Sequence, residues 1–600
     1  MANSLPTRDE IPEEEKWNLE LVYGSVDEWE EDYEAVKAMI PEVAAFKGQL
    51  DESAETLYQA FQKRDQLTMK FGKLVLYATR KSDEDTSDST YQALKERVMS
   101  LASQTNSELA YMVPEILSID EAKLKGFIED YEPLQLYRQQ LEEINQERPH
   151  ILPEEQESLL AQAGEILDNP SSTFNMLNNA DMTFPKVKND KGEEVELSHG
   201  RYGNLIKSDD REVRKQAFEA MFDTYASYKN TLASTLGGVV KHNNFTANVR
   251  NYRSAREAAL SSNHIPEEVY DNLLKTINDN LHLQHRYVKL KKQALELDDI
   301  HMYDLYTPLV KNVDMDVSYD KAKDLVLEGL QPLGQDYLDV IKEGYKSRWI
   351  DVRETKNKQS GAYSASTYGT APYILLNWSD DIRDVFTLAH ELGHSMHSYY
   401  SSEHQPYPYH DYTIFNAEVA STCNEALLND YLLKNTNDRR QRMFLLNNLL
   451  EDFRATVFRQ TMFAEFEQII HEKAAEGHAL TPDFFTSIYY DLNKKYFGDD
   501  ITVDERIGYE WSRIPHFYRS FYVYQYATGY SAAAALSKQI IDEGQPAVER
   551  YKGFLQSGSS DYSINLLKNA GVDMTTSKPI EEALSVFEGH LDELEKLLQE

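Results

Sequence analysis

Cysteine is nearly absent from this chain: Cys423 stands alone among 600 residues, so no intramolecular disulfide can form. That excludes a fold stapled for an oxidising compartment and leads us to expect the cytoplasm. Basic residues are also in short supply. Lys and Arg number 62 against 101 Asp and Glu, a net charge of −39 with a pI near 4.8. A field of that sign repels nucleic acid and anionic membrane, and neither is expected as a partner. No apolar run approaches the length of a membrane span. The stretch from Met1 to Glu15 is polar and acidic, without the apolar centre of a secretory leader. Internal repeats and low-complexity tracts are lacking too.

What is present is enough apolar content, 41%, to fill a sizeable interior, in a length that suggests two or more lobes. Most of it reads as helix. Apolar residues recur at helical spacing over Trp29 to Lys47 (interrupted at Pro41), Ser53 to Arg80, Ser89 to Met112, Leu124 to Asn145 and Glu154 to Leu167, as in antiparallel helical hairpins. Met182 to Leu197 has the texture of a β-hairpin around Asn189–Gly192. We place a boundary near residue 200, giving an N-terminal helical domain, 1–200, and a second domain, 201–600. Long helices resume from Asp210 to about Leu297, and an amphipathic helix after Pro579 closes the chain. Between them, Trp349 to Trp378 holds three short strand-like runs. The fold class is therefore mainly α with a small β-sheet.

Directly after those strands stands His390-Glu391-Leu392-Gly393-His394, which fits H-E-x-x-H. Ser379 and Asp380 are candidate caps for a helix in which Ile382, Val385, Phe386, Ala389, Gly393 and Met396 form an apolar stripe. On that helix His390 and His394 are one turn apart and can reach one ion. The bland alternative is two histidines satisfied by core hydrogen bonds. Glu418 follows after 23 intervening residues, on a second predicted helix from Tyr412 to Tyr431, in surroundings poor in charge. Two imidazoles and one carboxylate leave a zinc position open to water, the pattern of a catalytic site with one Zn²⁺. Glu391 is placed to take the proton of that water. Glu425, two turns beyond Glu418, suits a partner for the free N–H of a ligand histidine. Glu403, in an apparent loop, and Asp411 compete with Glu418 as third ligand. Cys423 reads as a small buried residue.

Two further regions bear on substrate. The strand-like run Gly361-Ala362-Tyr363 to Thr367 could pair with an extended peptide backbone, or belong to a purely structural sheet. Residues 514–530 are rich in tyrosine, and His516 lies near their start. Were the whole segment helical, Tyr518, Tyr522, Tyr526 and Tyr530 would line one face. Such a row is most often core, yet buried hydroxyls need polar partners. Peptide hydrolysis needs donors for an oxyanion, and Tyr526 and His516 are our first choices, with Tyr522 and Tyr530 as substrate contacts.

Taken together, the chain resembles the oligoendopeptidase F family, the bacterial branch of the thimet oligopeptidase and neurolysin metallopeptidases. The resemblance covers most of the chain. It rests on the 390–394 motif, Ala-Glu-Val-Ala-Ser-Thr at 417–422, Gly-Ala-Tyr-Ser at 361–364, and Ile-Pro-His-Phe-Tyr with Tyr-Ala-Thr-Gly at 514–529. It implies a two-lobed helical fold with a deep substrate channel, zinc held by residues matching His390, His394 and Glu418, and Glu391 as general base. The family's later His and Tyr match His516 and the tyrosines at 522, 526 and 530. The thimet branch has a glycine-rich loop there, whereas no glycine stands between His516 and Tyr522 here. Short unstructured peptides are the implied substrates. Two rivals remain: an exopeptidase removing dipeptides from a C-terminus, with Arg513 or Arg519 for the terminal carboxylate, and a peptide-binding protein without catalysis.

Overall fold

Polar caps start the helices that dominate the computed structural model, which describes residues 5–310, 313 and 315–599. Residues 1–4 of the acidic N-terminal stretch lie outside the described ones. Ser25, Ser53, Asp120 and Ser198 each accept a backbone N–H from the first turn that follows, filling donors that the helix itself leaves open. The fold is mainly helical with small sheets, as the periodicity implied. Boundaries differ from the expected ones at two prolines. Helix Val26–Ala44 runs through Pro41, which falls in its last turn. Leu124 to Asn145 is instead broken into Glu121–Asp130, a 3-10 turn Glu132–Tyr137 and Arg138–Gln146, because Pro133 lacks the N–H that a continuing helix needs. No helix among the described residues is long and apolar enough to cross a membrane.

The chain divides into two compact units, each discontinuous in sequence. The first comprises Met1–Pro149, Met315–Lys434 and Leu536–Gly571. Its core gathers Trp17, from the irregular stretch ahead of the first long helix, and Trp29, Leu74 and Tyr77 from the N-terminal helices, with Tyr373 and Leu375 from a strand. The indole N–H groups of Trp17 and Trp29 donate to Glu84 Oε1 (2.7 Å) and the Leu74 carbonyl (3.0 Å), so neither is orphaned by burial. Strands β1 (Ile350–Arg353), β2 (Tyr363–Ala365) and β3 (Tyr373–Trp378) form one sheet in the order β1-β3-β2. β3 is parallel to β1 (Ile350 opposite Ile374) and antiparallel to β2 (Ser364 opposite Ile374), so β2 is an edge. Gly361 turns the chain into β2 at φ +87°, open to glycine without strain.

After β3 come helices α1 (Ile382–His404) and α2 (Ile414–Asn435). The cap of α1 is Asp381, one residue beyond the two expected. It accepts from Arg383 N, and Asp384 reaches back to Asp381 N and Ser379 N.

The second unit comprises His150–Asp314, Asn435–Ala535 and Val572–Glu600. It contains the expected hairpin, with Val187 opposite Val195, and the closing helix Lys578–Gln599. Helix Lys229–Val249, helix α3 (Arg459–Ala475) and the first half of helix α4 (Tyr524–Glu543) also belong to it.

Candidate active site

The first unit brings His390, His394 and Glu418 together. His390 and His394 sit one turn apart on α1, and their Nε2 atoms are 3.2 Å from each other. Glu418 on α2 places Oε2 at 3.4 Å from the first and 3.5 Å from the second. Four tetrahedral ligands at about 2.0–2.1 Å from zinc stand about 3.3–3.4 Å apart. The three donor atoms therefore have the mutual spacing of one face of a zinc coordination shell. Imidazole and carboxylate donors are also the chemistry zinc selects. Neither Glu403 nor Asp411 joins the cluster, and Glu403 lies within α1 rather than in a loop. Cys423 is fully buried, its thiol pushed up to about 12 by burial, and lies outside the cluster.

Why the two helices meet here is written in the small residue of the motif. A Cβ on Gly393 would fall 2.4 Å from the Ser421 Cα and 2.6 Å from the Ala420 carbonyl oxygen. Only glycine lets α2 approach closely enough for Glu418 to reach the histidines. Asn424 locks the pairing by donating to the Ala389 carbonyl (3.1 Å) while accepting from Tyr337 OH (3.0 Å). Ser421 Oγ donates to Glu418 Oε2 at 3.1 Å. The sequence reading gave Gly393 a place in the apolar stripe and missed Asn424 and Tyr337. A Gly inside an otherwise helical pattern was the available signal.

Electrostatics suit the chemistry. Hydrogen bonds from His390 and His394 hold the Glu418 carboxyl well below the usual carboxylate range. Burial works against charge on His390, but Glu418 and Glu425 outweigh it and push its pKa up to about 10. Positive charge is thus favoured at the centre of this cluster. Glu425 Oε1 lies 3.4 Å from His390 Nδ1, which leaves Nε2 facing the cluster. Glu391 is buried, and its Oε2 has no hydrogen-bond partner among the described residues. Burial pushes its carboxyl up, against the pull of both histidines, toward the range useful for a general base. The sheet stands beside this helix: Ser364 Oγ on β2 and Ser395 Oγ on α1 are 2.8 Å apart. The Tyr363 ring is taken up inside the unit, its hydroxyl donating to Asp83 at 2.7 Å beneath Arg80.

His516, Tyr522, Tyr526 and Tyr530 belong to the second unit. The row of four tyrosines does not form. Residues Pro515–Tyr518 make a 3-10 turn, and Phe521 takes a left-handed φ of +59° before α4 begins at Tyr524. That turn breaks the 3.6-residue repeat. Tyr518 leaves the line, stacking on Phe174 at 4.0 Å with its hydroxyl 2.7 Å from Thr235 Oγ1. Tyr526 and Tyr530 share the helix, Tyr530 edge-on to Phe453. His516, Tyr526 and Tyr522 instead form a group, with ring centroids 6.0 Å (His516–Tyr526) and 5.5 Å (Tyr522–Tyr526) apart. Arg519 lies over the Tyr522 ring. Burial, then Arg519, lowers the pKa of His516.

Comparison with known proteins agrees with the geometry. The model of peptidase family M3 matches residues 204–586, and that of oligopeptidase F matches residues 115–184. Oligopeptidase PepF of Bacillus subtilis is 57% identical over all of this chain and 89% of its own. Group B oligopeptidase PepB of Streptococcus agalactiae is 43% identical over 98% of both chains. The crystal structure of oligoendopeptidase-F from Enterococcus faecium, 41% identical, superposes with a TM-score of 0.74 over 96% of this chain and 99% of that one. The chain belongs to peptidase family M3, as a zinc metallopeptidase of its oligopeptidase F group.

Proposed function

We propose that this chain is a cytoplasmic oligoendopeptidase that hydrolyses internal bonds of short unstructured peptides with one zinc ion. The observation that carries the reading is the 3.2, 3.4 and 3.5 Å spacing of the His390, His394 and Glu418 donor atoms beside a buried, unpartnered Glu391 oxygen. Zinc, when bound, supplies the Lewis acidity that polarises a carbonyl and makes water a nucleophile near neutral pH. Glu391 takes the proton of the attacking water on its carboxylate and returns it to the leaving amine nitrogen. Glu425 holds the His390 ring through Nδ1. His516 and Tyr526, with Tyr522, donate hydrogen bonds to the oxyanion; their mutual packing supports treating them as one group.

Gly361, Ala362 and Tyr363 align the peptide backbone at the β2 edge, and Tyr530 contacts substrate. The edge position of β2 and its tie to α1 support this. We retain 1–200 and 201–600 as functional domains, in keeping with the separate matches at 115–184 and 204–586. The exopeptidase alternative would set Arg513, 3.5 Å from Glu510, or Arg519, over the Tyr522 ring, against the terminal carboxylate.

The test is mass spectrometry of products from end-blocked peptides and one folded protein, with and without chelator. Internal cuts in the peptides alone, lost on chelation, are expected. Cleavage only of peptides with a free C-terminus would favour the exopeptidase. Stoichiometric zinc with no cleavage would leave a binding protein.

A further inference from the structure

The turn that separates His516 from Tyr522 and Tyr526 is held by a buried acid. Glu467, on α3, is fully buried, and its Oε1 accepts the Phe521 backbone N–H at 3.0 Å. Phe521 is itself buried and left-handed, a conformation a bulky residue keeps only when its surroundings impose it. A second clamp sits beside the first. His471, one turn on along α3, donates from Nδ1 to the Glu467 carbonyl at 2.8 Å. Its Nε2 therefore accepts, from Asn243 Nδ2 at 3.2 Å. The same Asn243 amide donates to Ser520 Oγ at 2.9 Å, and Ser520 Oγ donates to the Phe517 carbonyl. Residues 517–521 are thus gripped from α3 and from helix Lys229–Val249 by side chains, which take up the Phe521 N–H that the local backbone leaves open.

Among the described residues Glu467 makes no ion pair. Its Oε2 has no hydrogen-bond partner among the described residues, and Tyr270 and His471 are the ionisable neighbours. Burial pushes its carboxyl well above the usual range, and burial lowers His471 to about 4. In this place the Glu467 carboxyl serves as the hydrogen-bond acceptor of the Phe521 N–H.

We propose that Glu467 is a positioning residue for peptide hydrolysis: through the Phe521 N–H it fixes the turn that sets His516, Tyr522 and Tyr526 in their working arrangement. This rests on the reading that His516 and Tyr526 act on substrate. The experiment compares kcat, KM and zinc content for Glu467→Met, Glu467→Gln, His516→Ala, Tyr526→Phe and the Glu467→Met/Tyr526→Phe double variant. Glu467→Met, which removes the acceptor, should lower kcat by about tenfold or more with KM nearly unchanged and zinc retained. Glu467→Gln, which keeps an acceptor of the same length without charge, should restore kcat to within about threefold of wild type. In the Tyr526→Phe background Glu467→Met should lower kcat by less than it does in wild type, since part of its effect runs through Tyr526.

If Glu467→Met does not fold, Glu467→Asp, one methylene shorter, should show an intermediate loss of kcat. Wild-type kcat in Glu467→Met or Glu467→Asp while Tyr526→Phe is impaired would overturn the proposal alone. So would a Gln variant as damaged as the Met variant, or losses that multiply in the double variant. Wild-type turnover in both His516→Ala and Tyr526→Phe would instead overturn the reading beneath it, and the proposal with it.

Discussion

The two histidine-bearing regions are built in opposite ways. In the first unit, His390 and His394 ride on a regular helix whose backbone groups pair within the helix, and one glycine admits the neighbour that brings Glu418. In the second, His516 stands on irregular backbone whose shape is set by side chains from elsewhere: Glu467, His471 and Asn243. A site of the first kind is stiff because its geometry repeats a helical turn. One of the second kind is only as firm as its buried polar network, and each missing bond exposes a strained residue, Phe521, at about 1–3 kcal/mol. Metal binding suits the first construction, and adjustable donors suit the second.

The sharpest way to break this contrast is at Gly393. A methyl there meets backbone atoms of α2, so Gly393→Ala should force the helices apart and lower zinc affinity by at least about 10–100-fold, read by metal titration. His390→Ala should lose metal and activity together. Next in size, His516→Ala and Tyr526→Phe should each lower kcat by about 10²–10³-fold while zinc content stays at the wild-type level. Loss of zinc in either variant would mean that the two regions are not independent in construction.

Smaller effects follow from the buried titratable groups. His397 in the first unit is pushed down to about 3, by burial and then by His394, and His471 in the second to about 4. Both are depressed below the ordinary value, so the unfolded chain binds more protons below pH 6.5. Stability should then fall as pH drops from 6.5 toward 4, by about 1.4 kcal/mol per pH unit for each histidine. His471→Asn should flatten that slope in thermal unfolding. Glu467 has the opposite sign. Its raised pKa means that the folded chain holds the proton longer, so wild-type stability falls as pH rises above about 4.5. The melting temperature of Glu467→Gln should gain on wild type as pH rises above about 4.5, and an unchanged gap would contradict a raised carboxyl pKa.

The same contrast explains what the sequence revealed. The metal cluster was legible because its first two members are four residues apart on a periodic helix and the third carries its own low-charge context. The hairpin at Val187 and Val195 was legible from local turn residues. Whether the tyrosine segment is helical throughout was not legible, because the bonds that bend it span 54 residues (Phe521 to Glu467) and 277 residues (Ser520 to Asn243), and no local pattern announces them. Pro133 and Pro41 show the same limit on a smaller scale: whether a proline breaks a helix depends on how near the end it falls.

In the proposed mechanism Glu391 performs the proton transfer in a metal site that it does not help to assemble. Zinc content and turnover of an end-blocked peptide, measured on one preparation of Glu391→Gln, test it most directly. The account predicts one zinc per chain, as in wild type, with turnover lower by about 10²–10⁴-fold or more. Near-normal turnover with zinc in place would contradict it.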